Sequence, residues 1–136
     1  LTIGSESLHS YNVVLRNITF DKAHRVLWLK MRPDTPQHYE YIRLENLQGN
    51  CGSFLVVKPW TQFYKLEDRP DMPISVANDV TIENVNVECT NFFNVSLSEK
   101  YILRNFSFLN STVKDKQKAF DAALITNTKV SNLRIE

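Results

Sequence analysis

The chain has 136 residues, which suits one domain, and its hydrophobic content of 43% is that of a folded protein. The 16 lysines and arginines nearly balance the 15 aspartates and glutamates, so no basic block indicates a nucleic-acid partner. No apolar run reaches the length of a membrane span, and the first residues do not have the pattern of a signal peptide, so no membrane partner is expected.

A repeated segment runs through the chain, with apolar residues alternating before an asparagine and again after it. The copies centre on Asn17, Asn46, Asn84 and Asn105, and a fifth begins at Val130. Alternation predicts strands with one buried face, and asparagine tolerates the left-handed backbone that a bend requires. We expect the copies to stack, so that their asparagine side chains form a buried ladder.

Each copy is followed by a second apolar run that also predicts a strand, at residues 26–30, 54–58, 92–97 and 122–125. This rhythm of short strands and polar turns predicts an all-β fold, a right-handed parallel β-helix of about four to five coils. We expect residues 1–136 to form a single domain. A β-sandwich also has many short strands, but it gives no reason for asparagine at matched positions.

The longest step between copies, from Asn46 to Asn84, contains an insertion at residues 59–76 that is rich in proline, aromatic and charged residues. Loops on a rigid scaffold often carry binding residues, and a charged loop is equally often a solvated connection. Both interpretations stay open for this insertion.

The two cysteines, Cys51 and Cys89, are most simply two small buried side chains. A disulfide between them cannot be deduced from the sequence. No cysteine and histidine set has zinc-like spacing, so we expect neither a metal nor a cofactor.

The order of several short motifs resembles glycoside hydrolase family 28, the polygalacturonases. Ile-Gly-Ser-Glu at residues 3–6 is followed by an Asn-Val strand at residues 12–17 and by Val-Leu-Trp-Leu-Lys at residues 26–30. Family members have an Ile-Gly-Ser run, an Asn-Val strand and an Arg-Ile-Lys motif in this order. Residues 32–37 and 59–63 are similar to bacterial members of the Bacteroidetes kind. The resemblance covers nearly the whole chain and implies the C-terminal coils of a larger, periplasmic or secreted enzyme.

The family hydrolyses α-linked galacturonic acid chains with inversion, using an Asn-Thr-Asp segment, an Asp-Asp pair and a Gly-His-Gly histidine. None of these motifs occurs in this sequence. His9 does not match the family histidine, and Asp34 lies in a proline-flanked turn. The resemblance therefore implies no catalytic residue in this chain, and we expect the isolated chain to be inactive although its parent enzyme is a hydrolase.

One family site maps onto this chain, the Arg-Ile-Lys motif. Lys30 falls on its lysine, and Trp28 replaces its arginine. In the family the lysine contacts the carboxylate of the bound uronic acid, a role that suits an ammonium on a flexible stem. Trp28 could stack on a sugar ring, but the exchange removes one positive charge.

Lys58 and Trp60, near the end of the next apolar run, are weaker candidates for the same substrate cleft. His24, Arg25 and Arg32 flank the strand of Lys30, and we expect them to be surface or turn residues.

The resemblance implies part of a pectin-degrading glycoside hydrolase whose partner is an acidic polysaccharide, pectin or galacturonan. Two alternatives remain, a polysaccharide-binding β-helix without chemistry and a polysaccharide lyase on the same scaffold. A solenoid fragment would expose the apolar face of its first coil. We expect that face to be covered by the preceding coils of the parent enzyme or by self-association.

Overall fold

The computed structural model describes residues 1–61 and 74–136, which fold into one β-sheet. Its six strands are β1 (Thr2–Ile3), β2 (His9–Met31), β3 (His38–Pro59), β4 (Ser75–Val95), β5 (Tyr101–Asp115) and β6 (Lys129–Ile135). The described residues contain no α-helix and a single turn of 3-10 helix, Ala122–Leu124. The strand expected at residues 122–125 is therefore wrong. The Asp121 carboxylate accepts a hydrogen bond from the backbone N–H of Ala123 and begins the helical turn there.

Every neighbouring pair of strands in the sheet is parallel, and the strand order follows the chain from β1 to β6. The alternative of a β-sandwich built from antiparallel sheets is therefore wrong. The second apolar runs predicted at residues 26–30, 54–58 and 92–97 are not separate strands. They continue β2, β3 and β4, although β4 ends at Val95.

Two series of residues with left-handed backbone angles occupy equivalent positions along the strands, five residues apart in every repeat. The first corner series is Asn12, Tyr41, Asp79, Asn105 and Asn127, and the second corner series is Asn17, Asn46, Asn84, Asn110 and Asn132. All members but Tyr41 are asparagine or aspartate, the L-residues that adopt this conformation most readily. Each such residue interrupts the extended backbone on either side of it.

The predicted asparagine ladder is confirmed for three members of the second corner series. The Asn46 amide donates a hydrogen bond of 2.9 Å to the Asn17 side-chain oxygen. Asn84 donates one of 3.3 Å to Asn46. These amides lie at the surface, and Asn17 is exposed, so the expectation of a buried ladder is wrong. The hydrogen bonds of the ladder are therefore exposed at the surface and do not lie in the core.

Asn105 does not continue this ladder, contrary to the prediction. It belongs to the first corner series, where its amide donates to Asn78 at 2.7 Å and its oxygen accepts from Asn127. Asn110 takes the expected place in the second series and accepts from Asn132 at 3.2 Å. Residues 105–110 contain one asparagine for each series. The β4–β5 register assigns Asn105 to the first series and Asn110 to the second.

The core is formed by the inward faces of the strands and is rich in aromatic rings. The rings of Phe54 and Phe92 lie 5.2 Å apart between centroids, and Phe93 and Phe108 each lie 5.1 Å from Phe120. At one edge of the sheet, the short strand β1 pairs with only Trp28 and Leu29 of β2. Apolar side chains such as Ile18, 39% exposed, remain uncovered at that edge.

The insertion predicted at residues 59–76 lies between the last residue of β3, Pro59, and the first of β4, Ser75. Residues 62–73 of this insertion lie outside the described residues. What the structure gives of it is Trp60 and Thr61 after β3 and Ile74 before β4.

The corner geometry predicts the effect of replacing Asn46, whose φ is 56°. We expect Asn46→Ala to lower the free energy of unfolding by about 2 kcal/mol, because alanine resists left-handed angles and the ladder hydrogen bonds are lost. Asn46→Gly should lose only about 1 kcal/mol, since glycine adopts the angle freely. Urea unfolding of both variants measures the difference.

The exposed strand residue Asn86 serves as a control, and Asn86→Ala should change the free energy of unfolding by less than about 0.5 kcal/mol. Equal losses in the two Asn46 variants would contradict the assigned role of the backbone angle.

Candidate functional site

The register between β2 and β3 places the predicted site residues side by side on the outer face of the sheet. Trp28 pairs with Val56, and Lys30 pairs with Lys58. Leu27 and Leu29 on either side of Trp28 are fully buried, so strand alternation turns Trp28 and Lys30 outward. Both are half-buried, whereas Lys58 is exposed.

Trp60 joins this group through a backbone contact beyond the end of β3. Its N–H donates a hydrogen bond of 2.8 Å to the carbonyl of Met31, the last residue of β2. The bond holds the indole of Trp60 5.5 Å from that of Trp28, with an edge-on angle of 66° between the rings. The four predicted site residues, Lys30, Trp28, Lys58 and Trp60, therefore lie in one place.

The ammonium group of Lys30 contacts both indoles. Its Nζ lies 4.3 Å from the ring centroid of Trp28 and 4.1 Å from that of Trp60. These are cation–π distances, and such contacts contribute on the order of 1 kcal/mol each at partly exposed sites. The two rings fix the position of the charge while leaving its N–H groups available for a further acceptor.

A second cation at the site, Arg25, was expected to be only a surface or turn residue. Its guanidinium carbon lies 4.1 Å from the Trp28 ring centroid. Strand alternation alone would not place Arg25 beside Trp28, because the two residues are three positions apart and so would face opposite sides of the sheet. The adjacent residues Val26 and Leu27 are both buried, so alternation breaks between them and brings Arg25 round to the indole. Two consecutive apolar residues inside an alternating strand are the sequence signal for this bend.

Four of these side chains, Arg25, Trp28, Lys58 and Trp60, line an open groove of about 300 Å³, which we call the tryptophan groove. Buried Val56 of β3, Asn94 of β4 and His24 also line it. Lys30 lies against the two indoles and is not itself part of the lining. Among residues 1–61 and 74–136, no acidic residue lines the groove and no carboxylate forms an ion pair with Arg25, Lys30 or Lys58.

The indole nitrogen of Trp60 is buried and has no hydrogen-bond partner among the described residues. A buried donor without an acceptor costs free energy. The groove itself combines cations and aromatic faces, which suits an anionic ligand with a flat apolar face.

Asp34 and Arg32 lie in the turn after β2, outside this groove. The Arg32 guanidinium donates two hydrogen bonds of 2.9 Å to the Asp34 carboxylate, and the Thr35 hydroxyl donates a third. These bonds, that from Arg32 first, lower the pKa of Asp34 to about 2. Asp34 is therefore ionised near neutral pH and has no proton to donate as a general acid, while Arg32 is a turn residue as expected.

The described part of the chain contains no group of three or more His, Cys, Asp or Glu side chains arranged to hold a metal ion. Within the same residues, no helix has the length and apolar character needed to cross a membrane. Comparison with protein-family models, with curated proteins and with solved structures finds no match to this sequence.

The low pKa of Asp34 predicts a pH dependence of stability. Because the pKa is lowered by folding, the ion pair stabilises the protein above about pH 4, and this stabilisation is lost as the pH falls towards about 2. We expect Asp34→Asn to destabilise the protein by about 1–2 kcal/mol near neutral pH and by almost nothing near pH 2. Urea unfolding across this range measures it, with Glu99→Gln, at an exposed position, as the control. A difference that does not shrink on acidification would contradict the assignment.

Proposed function

We propose that the parallel sheet is wound into a β-helix. β2 has 23 residues, and a straight strand of that length would extend roughly 75 Å. The link to β3, residues 32–37, spans at most about 20 Å, yet β3 starts beside the first residue of β2. The strand must therefore bend back on itself, and the two corner series supply bends at matched positions. A right-handed winding is the rule for parallel connections, and the chain accounts for about four to five coils.

We further propose that the chain is the C-terminal part of a pectin-degrading glycoside hydrolase of the polygalacturonase type, periplasmic or secreted. The observation that carries this proposal is the groove lined by Trp28, Trp60, Lys58 and Arg25, with the Lys30 ammonium against both indoles. Among residues 1–61 and 74–136, no acidic residue lines this groove. Its ligand is a galacturonic acid unit of an acidic polysaccharide.

The geometry fits such a sugar in two ways. A pyranose ring has an apolar C–H face that packs on an indole, and its carboxylate accepts charge-assisted hydrogen bonds from Lys30. Lys58, paired with Lys30 in the register, provides a second ammonium for the same or the next carboxylate. Trp28, in place of the family's arginine, replaces one charge with stacking area, while Arg25 restores a positive charge beside it.

Inverting hydrolysis needs one carboxylic acid and one carboxylate on opposite sides of the scissile bond. Among the described residues the groove lining has neither, so in this proposal the acid and base come from preceding coils of the parent enzyme. Those coils would also cover the exposed apolar side chains near Ile18. Without them, self-association of the chain would cover the same surface.

A non-catalytic polysaccharide-binding β-helix is the second candidate, and the cationic and aromatic lining of the groove favours it equally. A lyase is the third.

Binding of tri-galacturonate to the chain tests the ligand class. We expect Lys30→Met, which keeps the stem against the rings but removes the charge, to weaken binding about tenfold, as loss of a charge-assisted hydrogen bond does. Lys58→Met should cost about threefold because that ammonium is exposed. Isothermal titration calorimetry at two salt concentrations measures both, and binding should weaken with salt.

Lys129→Met, an exposed lysine in β6, is the matched control and should leave the affinity unchanged. The neutral galactose trimer should bind far more weakly than tri-galacturonate. Equal binding of the charged and neutral trimers, or an unaffected Lys30→Met variant, would contradict the proposed site.

Activity measurements separate the three candidates. We expect the chain alone to release no reducing ends from polygalacturonate, because no carboxyl group lines the groove among residues 1–61 and 74–136. Turnover by the isolated chain would contradict this. In the parent enzyme, reducing-end release with inversion indicates the hydrolase, unsaturated products that absorb ultraviolet light indicate the lyase, and binding without turnover indicates the non-catalytic protein.

A further inference from the structure

Two cysteines form a pair on neighbouring strands, remote in sequence from the groove residues. Cys51 of β3 is the register partner of Cys89 of β4, and both are free thiols. Paired residues on parallel strands lie about 4.8 Å apart between Cα atoms and point to the same side of the sheet. That separation is within the range of disulfides, roughly 4.4–6.8 Å. The two thiols are also in hydrogen-bond contact.

Both cysteines line a small surface groove of about 240 Å³. This groove is separate from the one lined by Trp28 and Trp60. Its other lining residues are Asn50, Glu88, Thr90 and Lys116. Cys51 is 8% exposed and Cys89 only 1%, so a small molecule in this groove meets the Cys51 sulfur first.

The electrostatics of the pair distinguish its members. The Cys89 thiol donates a hydrogen bond to the Cys51 sulfur, and this lowers the pKa of Cys51 while burial opposes the shift. The same contact, burial and the nearby acids Asp115 and Glu88 raise the pKa of Cys89. Cys51 is therefore the thiol that ionises first, and the thiolate is the reactive form.

We propose that Cys51 and Cys89 are a thiol–disulfide exchange site that accepts small disulfides such as oxidised glutathione. The Cys51 thiolate attacks one sulfur of the small disulfide, forming a mixed disulfide and releasing one thiolate, which takes up the proton from Cys51. The Cys89 thiol then loses its proton and attacks the Cys51 sulfur, releasing the second small thiol. The small disulfide is reduced to two thiols, and the two cysteines are oxidised to one disulfide.

The product joins β3 to β4 within the paired part of the two strands. The link closes a loop that contains the 37 residues 52–88, which restricts the unfolded chain. In an oxidising compartment the closed form would be the resident one. The disulfide would then join β3, which carries Lys58 and leads to Trp60, to β4, which carries Asn94.

The experiment uses the full, reduced chain and oxidised glutathione at mildly alkaline pH. We expect the wild type to lose both free thiols and two hydrogen atoms in its intact mass, with a peptide map that links Cys51 to Cys89 within one molecule. Retained thiols, a lasting glutathione adduct or a disulfide between two chains would overturn the proposal.

Two single variants test the order of attack. Cys89→Ser should accumulate one glutathionyl group on Cys51, because no second thiol resolves the mixed disulfide. Cys51→Ser should react at least about tenfold more slowly, since Cys89 is nearly inaccessible and its thiolate is disfavoured. Faster reaction of Cys51→Ser than of Cys89→Ser would overturn the assigned roles. The measurement on the wild type tests the proposal even if neither variant folds.

Discussion

The in-register hydrogen bonding of successive parallel strands is the constraint on which every other feature of this protein depends. Side chains alternate across a strand with period two, so a slip of one residue would exchange the inner and outer faces. Asparagines at the corners oppose such a slip, because each ladder amide has its partner only when the corners coincide. The same register places Lys30 beside Lys58 and Cys51 beside Cys89.

This register also brings like charges together. Lysines directly opposite each other on neighbouring strands are normally destabilising. Here the Lys30 ammonium lies against two indole faces, which offset part of the repulsion, and Lys58 is free in solvent. Any remaining repulsion would be relieved by an anion between the two ammonium groups. A site that is less favourable when empty than when occupied by a carboxylate is consistent with the proposed galacturonate ligand.

The all-β character and the parallel pairing of the strands were predictable from the sequence because their determinants are local. Alternation fixed the strands, and the matched asparagines indicated parallel stacking. Asn105 was assigned to the wrong series because each repeat has two left-handed positions five residues apart, and both are asparagine in β5. The strand prediction at residues 122–125 was wrong because four apolar residues in a row do not distinguish a short strand from a helical turn. The Asp121 cap makes that distinction.

The site was predictable in part. Lys30 and Trp28 were predicted as site residues from the resemblance to the Arg-Ile-Lys motif. Lys58 and Trp60 were predicted from their position near the end of the next apolar run. Their mutual contact could not be predicted, since it depends on a β2–β3 register and on the bond from Trp60 to Met31, which joins residues distant in sequence. Arg25 was missed because the buried pair Val26–Leu27 breaks the alternation on which the assignment rested.

The claim that the tryptophan groove binds uronic acids can be tested most directly through its own two indoles, the only tryptophans in the chain. In a ¹H–¹⁵N correlation spectrum of the labelled protein, each indole N–H gives one resonance. The account predicts that tri-galacturonate shifts both resonances, that of Trp60 most because its donor has no partner among the described residues, and that the neutral galactose trimer shifts neither. Unmoved indole resonances at saturating tri-galacturonate would contradict it.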